Sequence, residues 1–326
     1  MAVLKESPSM TNHQATSYFE KMKKVKTVDM RMQSGRTLDF NVDGTKLVCG
    51  ALDRRVSTAS IDSSGRVKFG WVSSAHEGIE QVACSTQDPN IFASASVEKS
   101  VCLWDMKQSK AYAKLSSKGS VYYVQWSPCG KYVVYGGKED KLYSVDIRTN
   151  EVLKSYDVRD KLNQFVFHPT SNHILATTGQ GKVEIVGFNG GTFESAKSIQ
   201  AHASQVDCTS IDVSRDGRRM AVGGSDAACS LWDLDELICT KVISRPSTSI
   251  RSVGFSGNGQ FIACGSEDPS IDIASSEDGK RLHDLKISGE TAWLKWHPSQ
   301  LLLAYVAPSG HNKREVNVNF FGYHHS

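Results

Sequence analysis

Two sets of side chains in this 326-residue chain have the types and the order for acid–base chemistry. His76, Ser94 and Glu98 precede Trp104, while His202 and Asp226 precede Trp232, with Val222 standing where the first set has its hydroxyl. A histidine, a hydroxyl and a carboxylate are the parts of a nucleophilic triad, in which the imidazole removes the hydroxyl proton and the carboxylate orients the imidazole. The spacing points elsewhere. In both sets the acidic residue lies six positions before a tryptophan, so the arrangement belongs to a repeating unit. A repeated polar chain in which each side chain satisfies the next specifies a fold. The expectation is a structural network and no enzyme.

Other chemistry finds little support. Cysteines stand at 49, 84, 102, 129, 208, 229, 239 and 264, none within four residues of another, which lacks the close pairs of a zinc site. Most lie in apolar runs such as Lys46-Leu47-Val48-Cys49, where a reduced thiol behaves as a small hydrophobe. No G-x-x-x-x-G-K-[ST], H-E-x-x-H or G-x-S-x-G occurs, so no cofactor, metal or small-molecule substrate is expected. His168 and His297 fill the slot that Ser127 and Ser256 fill elsewhere and read as surface turn residues rather than ligands. Lys21-Met22-Lys23-Lys24-Val25-Lys26 reads as a solvated lead-in to a strand rather than a nuclear-import or RNA-phosphate patch. A formal charge of +3, from 38 basic and 35 acidic side chains, is too near balance to attract phosphate backbones generally. With no apolar run of about 18 residues and no apolar leader, neither membrane spanning nor secretion is expected.

The elements that must hold these side chains emerge from the period. Ser94 to Asp105 returns as Val222 to Asp233, and fainter copies run from Asp53 to Ala59, Glu139 to Val145, Gln180 to Val186 and Asp268 to Ala274, with a last strand ending Phe320-Phe321-Gly322. The tryptophan-equivalent positions 59, 104, 145, 186, 232, 274 and 321 are 41 to 47 residues apart, close to the repeat of a propeller blade. Ahead of each unit an apolar strand end meets turn formers, as in Phe40 to Gly44, Trp126 to Gly130, Phe167 to Pro169, Ile211 to Gly217, Phe255 to Gly259 and Trp296 to Pro298. Four short antiparallel strands cannot bury both faces alone, so neighbours must stack around an axis. The prediction is an all-β, seven-bladed β-propeller of WD repeats over residues 21–323.

The last unit has no chain left for an outer strand. Residues 25–32 have the right length to supply it, which would remove two exposed sheet edges. Residues 1–20 read as a disordered polar tail and 324–326 as a short tail. Arg36, Glu80, Tyr122, Asn163, Asp207, Arg251 and Ala292 should approach one rim of the central channel. The first six are candidate partner-binding residues, since Tyr and Arg are enriched at interaction hot spots; polar lining of a wet channel is the alternative.

Three stretches carry a further resemblance: Asp226 to Cys239, with Asp235-Glu236-Leu237 after the Trp-Asp pair; Ser266 to Ala274, with Ile271-Asp272-Ile273-Ala274 where WD repeats usually have Trp-Asp; and Leu294 to Tyr305. They resemble the last three blades of the THO complex subunit 3 family. The similarity covers residues 30–323, is strongest after 200, and lapses in the N-terminal tail and in the 311–315 loop. It implies a non-catalytic scaffold subunit of the nuclear THO/TREX assembly, which couples transcription to mRNA processing and export. It also implies contact with other THO subunits, chiefly a large helical scaffold subunit, beside an RNA helicase and an export adaptor, with mRNA associated through the assembly. The alternatives are a ubiquitin-ligase substrate receptor, or a histone-tail reader marked by an acidic, aromatic channel mouth. An enzyme would show two carboxylates converging with a perturbed histidine in the channel.

Overall fold

Short runs of β-branched and aromatic residues, punctuated by Gly, Asp and Asn turns, favour antiparallel ladders. The computed structural model of the chain describes residues 9–22, 25–62, 64–74, 76–309 and 312–322, and among these are 28 strands and one helix. The strands form seven four-stranded antiparallel sheets. Six take their strands consecutively, over 35–74, 79–116, 121–157, 162–200, 208–243 and 250–286. Blade 7 is composite: Trp293–Trp296, Leu303–Ser309 and Asn312–Phe321 are completed by the N-terminal strand Lys26–Val28, which pairs with the last strand through Lys26 with Phe320 and Val28 with Val318.

The closing strand is shorter than the expected 25–32. Arg31 and Ser34 take left-handed backbone angles, φ 55° each, which end the ladder. Met30 and Met32 turn inward as core residues instead.

Among the described residues the buried apolar side chains fall into seven clusters, each shared by two adjacent blades. One cluster joins blade 7 to blade 1, bringing Val318 and Phe320 together with Leu38 and Leu47. A blade therefore buries both faces only by having two neighbours, and the ring closes because its first and last blades would otherwise each leave a face wet.

Residues 1–20 are not a disordered tail throughout. Asn12–Lys21 is a helix, α1, opened by a capping box in which Gln14 N–H donates to the Thr11 hydroxyl and Thr11 N–H donates to the Gln14 side chain. Its Ala15 and Phe19 are fully buried, and the Phe19 ring packs 5.3 Å from Phe261 and 6.1 Å from Phe321, across the seam of blades 6 and 7. Asn12 and Met10 are tied to blade 6 through Asp278 and Gln260. Residues 1–8, Lys23 and Lys24 of the basic run, His311 of the 311–315 loop, and the 324–326 tail lie outside the described residues.

The mouths of the central channel as the candidate functional site

The histidine sets come together as hydrogen-bonded chains inside their blades. In blade 2 the Trp104 indole N–H donates to Ser94 Oγ (2.8 Å), Ser94 lies 2.7 Å from His76 Nε2, and His76 Nδ1 lies 2.7 Å from Glu98. Burial lowers the His76 pKa despite the adjacent carboxylate, which keeps the ring neutral with its Nδ1–H donating to Glu98. Burial alone would raise Glu98, but donors from Lys114, His76 and Ser100 outweigh it and draw the carboxyl down to about 2. His76, Ser94 and Trp104 are all buried, and the chain reaches the surface only at its Glu98 end.

Blade 5 repeats the chain with one change. His202 Nδ1 is 3.0 Å from Asp226, and the Trp232 indole donates to Ser230 Oγ at 2.9 Å, itself 3.2 Å from His202 Nε2. The missing hydroxyl is thus supplied by Ser230, the cross-strand partner of Val222, just as Cys102 is the partner of Ser94. Sequence spacing cannot show this, because the substitute lies across a ladder.

His168 and His297 are turn residues that also staple blades together, His168 half-buried and His297 buried. Each accepts backbone N–H groups of its own turn at Nδ1, and each donates from Nε2 to a glycine carbonyl of the next blade: Gly217 for His168 and Gly44 for His297, both at 2.9 Å. The rings press against the turns so closely that a Cβ at Gly44 or Gly217 would collide with them, and both glycines have positive φ besides. His297 is only 2% exposed.

One channel mouth is a cavity of about 470 Å³ lined by all six candidate partner-binding residues together with Lys161, Thr209, Ala292 and Trp293. A slip in the ladder sets most of them there: in the inner strands of blades 1 to 6 the register jumps over residues 36, 80, 122, 163, 209 and 251, and such bulges re-aim a side chain. Asp207 is therefore not the blade-5 equivalent; Thr209 is. Ile211 looks like the strand end in sequence, but the ladder continues to Val213, which shifts the count by two. Asp207 still reaches the mouth, where it accepts from Asn163 at 3.1 Å and pairs with Lys161 at 3.4 Å. Arg36 pairs with Glu80 at 3.1 Å and Arg251 with Glu267, so the charges of this rim are matched.

The opposite mouth, also about 470 Å³, holds a cluster that sequence reasoning missed. One residue before each inner strand ends, four blades place Ala83, Gln125, Val166 and Gly254, whereas blades 1, 5 and 7 place Asp39, Asp212 and Lys295. Asp39 accepts the Cys84 N–H and Asp212 the Phe255 N–H, each at 2.8 Å, and Lys295 Nζ reaches Asp212 at 3.4 Å. That reach passes the bare Gly254 of blade 6, where a Cβ would stand 4.0 Å from the Asp212 carboxylate. At the rim Arg215 of blade 5 donates to the Pro298 carbonyl of blade 7 at 3.0 Å, again past a blade-6 glycine, Gly257. Two carboxylates thus lie in this mouth, one of them paired with a lysine, and among the described residues no histidine lines it. The signal available in sequence was an ionisable residue directly before an apolar strand end. Among the described residues no three His, Cys, Asp or Glu side chains are grouped to hold a metal ion.

Comparison with known proteins follows the same repeat. A family model described as eukaryotic translation initiation factor eIF2A matches residues 59–223, and one described as the anaphase-promoting complex subunit 4 WD40 domain matches 237–299. Both spans begin and end inside blades. The chain is 27% identical over 284 residues to THO complex subunit 3 of Arabidopsis thaliana, covering 86% of this chain and 89% of that protein. It is 28% identical to WD repeat-containing protein AAC3 of Dictyostelium discoideum over 87% of this chain, though it spans only 64% of that relative's length. Protein TEX1 of Saccharomyces cerevisiae is 20% identical over 81% of the chain and 67% of its own length. Among solved structures, the β-propeller domain of Myceliophteria thermophila Cps50 (Swd1) superposes with a TM-score of 0.76 at 19% identity, covering 92% of this chain and 99% of that one, a likeness of fold.

Proposed function

We propose, from the premise that this chain is a seven-bladed WD-repeat β-propeller, that it is a non-catalytic scaffold subunit of a nuclear THO-type assembly serving mRNA processing and export. The observation that carries the reading is the match to THO complex subunit 3, which covers 86% of this chain and 89% of that protein. The physics of the propeller supports a binding role. Seven shared cores hold the loops of both faces in fixed geometry, so little ordering entropy is lost when a partner docks. The sets that resemble a catalytic triad keep their imidazole, hydroxyl and indole buried inside the blades.

The partners on this reading are other THO subunits, chiefly a large helical one, with mRNA held through the assembly. Purification of the tagged chain from nuclear extract, followed by mass spectrometry, is expected to recover them. Recovery of ubiquitin-ligase or nucleosomal proteins in their place, with no THO subunit, would overturn the assignment. The same preparation tests the first mouth: Tyr122→Ala combined with Arg251→Ala should weaken partner retention by roughly tenfold or more if these are anchoring side chains, with the melting temperature little changed.

A further inference from the structure

At the first mouth a buried side chain has hydrogen-bonding capacity left unused. Gln164 is only 7% exposed, and its Oε1 accepts the Ile211 N–H of the next blade at 2.9 Å. That bond fixes how the amide is turned, because a backbone N–H needs an oxygen opposite it. The NH2 group therefore has a set direction; the side chain lines the mouth, and its NH2 meets no acceptor among the described residues. Thr37 and Ser252, the equivalent residues of blades 1 and 6, accept the next blade's N–H through a hydroxyl. The acceptor thus belongs to the fold, and the free NH2 is what glutamine adds in blade 4.

Tyr123, the equivalent residue of blade 3, lines the same mouth, and its hydroxyl also has no partner among the described residues. Burial pushes its pKa up to about 12, so it stays a donor. Arg36 engages Glu80 through Nε alone, which leaves its terminal N–H groups unengaged. The carboxylates that line the mouth are taken, Glu80 by Arg36 and Asp207 by Lys161 and Asn163. A guest that fits brings acceptors and no donor of its own. Among protein side chains that is an ionised carboxylate, since a peptide unit or a side-chain amide carries N–H groups beside its C=O. The rim carboxylates each have a cation beside them, and exposed pairs of this kind hold by about 1 kcal/mol or less, so Arg36 can share its remaining N–H groups with a guest at little cost.

We propose that the first mouth binds the carboxylate of a glutamate or aspartate side chain of a partner protein, held by the Gln164 amide, the Tyr123 hydroxyl and the unengaged N–H groups of Arg36. The site deepens the scaffold reading above by naming the chemistry of one docking residue, and it rests on that reading only for the identity of the protein that supplies the acid.

The test uses the full chain labelled with nitrogen-15 and capped pentapeptides: Gly-Ala-Glu-Ala-Gly, its glutamine counterpart and its lysine counterpart. The Gln164 NH2 and the indole N–H of Trp293, which also lines this mouth, are read directly in the NMR spectrum. The glutamate peptide is expected to shift both saturably at pH 7.5, with glutamine about tenfold weaker, the difference between a charge-assisted hydrogen bond and a neutral one, and lysine without a saturable shift. Tyr123→Phe removes a hydroxyl that holds nothing in the protein, so it should leave the melting temperature nearly unchanged while weakening the glutamate peptide by about tenfold. Gln164→Ser, which keeps a hydroxyl of the kind that serves blade 6, should weaken it by a similar factor, read at Trp293. Equal binding of the glutamine peptide, preference for lysine, or glutamate binding that neither variant weakens would each overturn the site. No saturable shift with the glutamate peptide would do so too. Failure here leaves the co-purification result untouched, since no THO subunit is present, and failure to recover THO subunits would leave the peptide result standing.

Discussion

A hydroxyl at either side of a cross-strand pair can reach the same indole. In blade 2 the pair is Ser94 with Cys102 and the hydroxyl sits on the second strand; in blade 5 the pair is Val222 with Ser230 and it sits on the third. The geometry predicts a reciprocal effect. Ser230→Cys should orphan the Trp232 indole N–H and destabilise the protein by about 1–3 kcal/mol, the penalty of a buried donor left unmade. Adding Val222→Ser, which recreates the blade-2 pair, should restore most of that loss. Urea midpoints of the single and double variants measure it, and a double variant no more stable than the single one would show that the two positions do not exchange roles. The same residues mark the limit of what spacing reveals. His76, Glu98, His202, Asp226 and both tryptophans lie at repeating intervals and could be read from the chain; Ser230 could not, because it becomes relevant only through strand pairing. Asp39, Asp212 and Lys295 are harder still, since three residues from blades 1, 5 and 7 meet only once the ring closes.

At the scale of elements, seven sheets and the closing strand were legible because a 41-to-47-residue period and its turn residues are written into every blade. Helix α1 was not, because its segment is polar over most of its surface and buries only Ala15 and Phe19 among its ten residues. A ten-residue helix has little stability of its own, so α1 persists by docking, and Phe19 is its anchor against Phe261, Trp296 and Phe321. Phe19→Ala should therefore cost about 3–5 kcal/mol, the range for deleting a buried aromatic, and should free the helix rather than leave it with a cavity. Hydrogen exchange reads the difference. Amides of α1 should lose protection selectively in the variant while the inner strands of blades 6 and 7 keep theirs. A variant with wild-type protection in α1 would mean that Phe19 is not what holds the helix.

For the whole molecule, ring closure is tied to pH through histidines buried in their neutral form. His297 staples blade 7 to blade 1, His168 staples blade 4 to blade 5, and His76 holds the blade-2 network. Burial lowers the pKa of all three below the ordinary 6.5. Between the folded and unfolded values the unfolded chain binds more protons, so stability rises with pH there: the contribution is complete above about 6.5 and shrinks as pH falls toward the lowered values. Asp39 acts in the opposite sense. Its carboxyl is raised to about 6, so between its unfolded value near 4 and about 6 the folded state takes up the proton and gains stability on acidification. Three histidines outweigh one aspartate, and the urea midpoint should fall between pH 7.5 and pH 5.5. His297→Gln separates the seam from the rest. At pH 7.5 it should destabilise by about 1–3 kcal/mol, for the loss of a buried hydrogen bond between blades, yet its midpoint should fall less steeply with acidification than the wild type's because one titrating group is gone. A wild-type midpoint that stays level or rises on acidification would show that the staples are not held neutral by the closed ring.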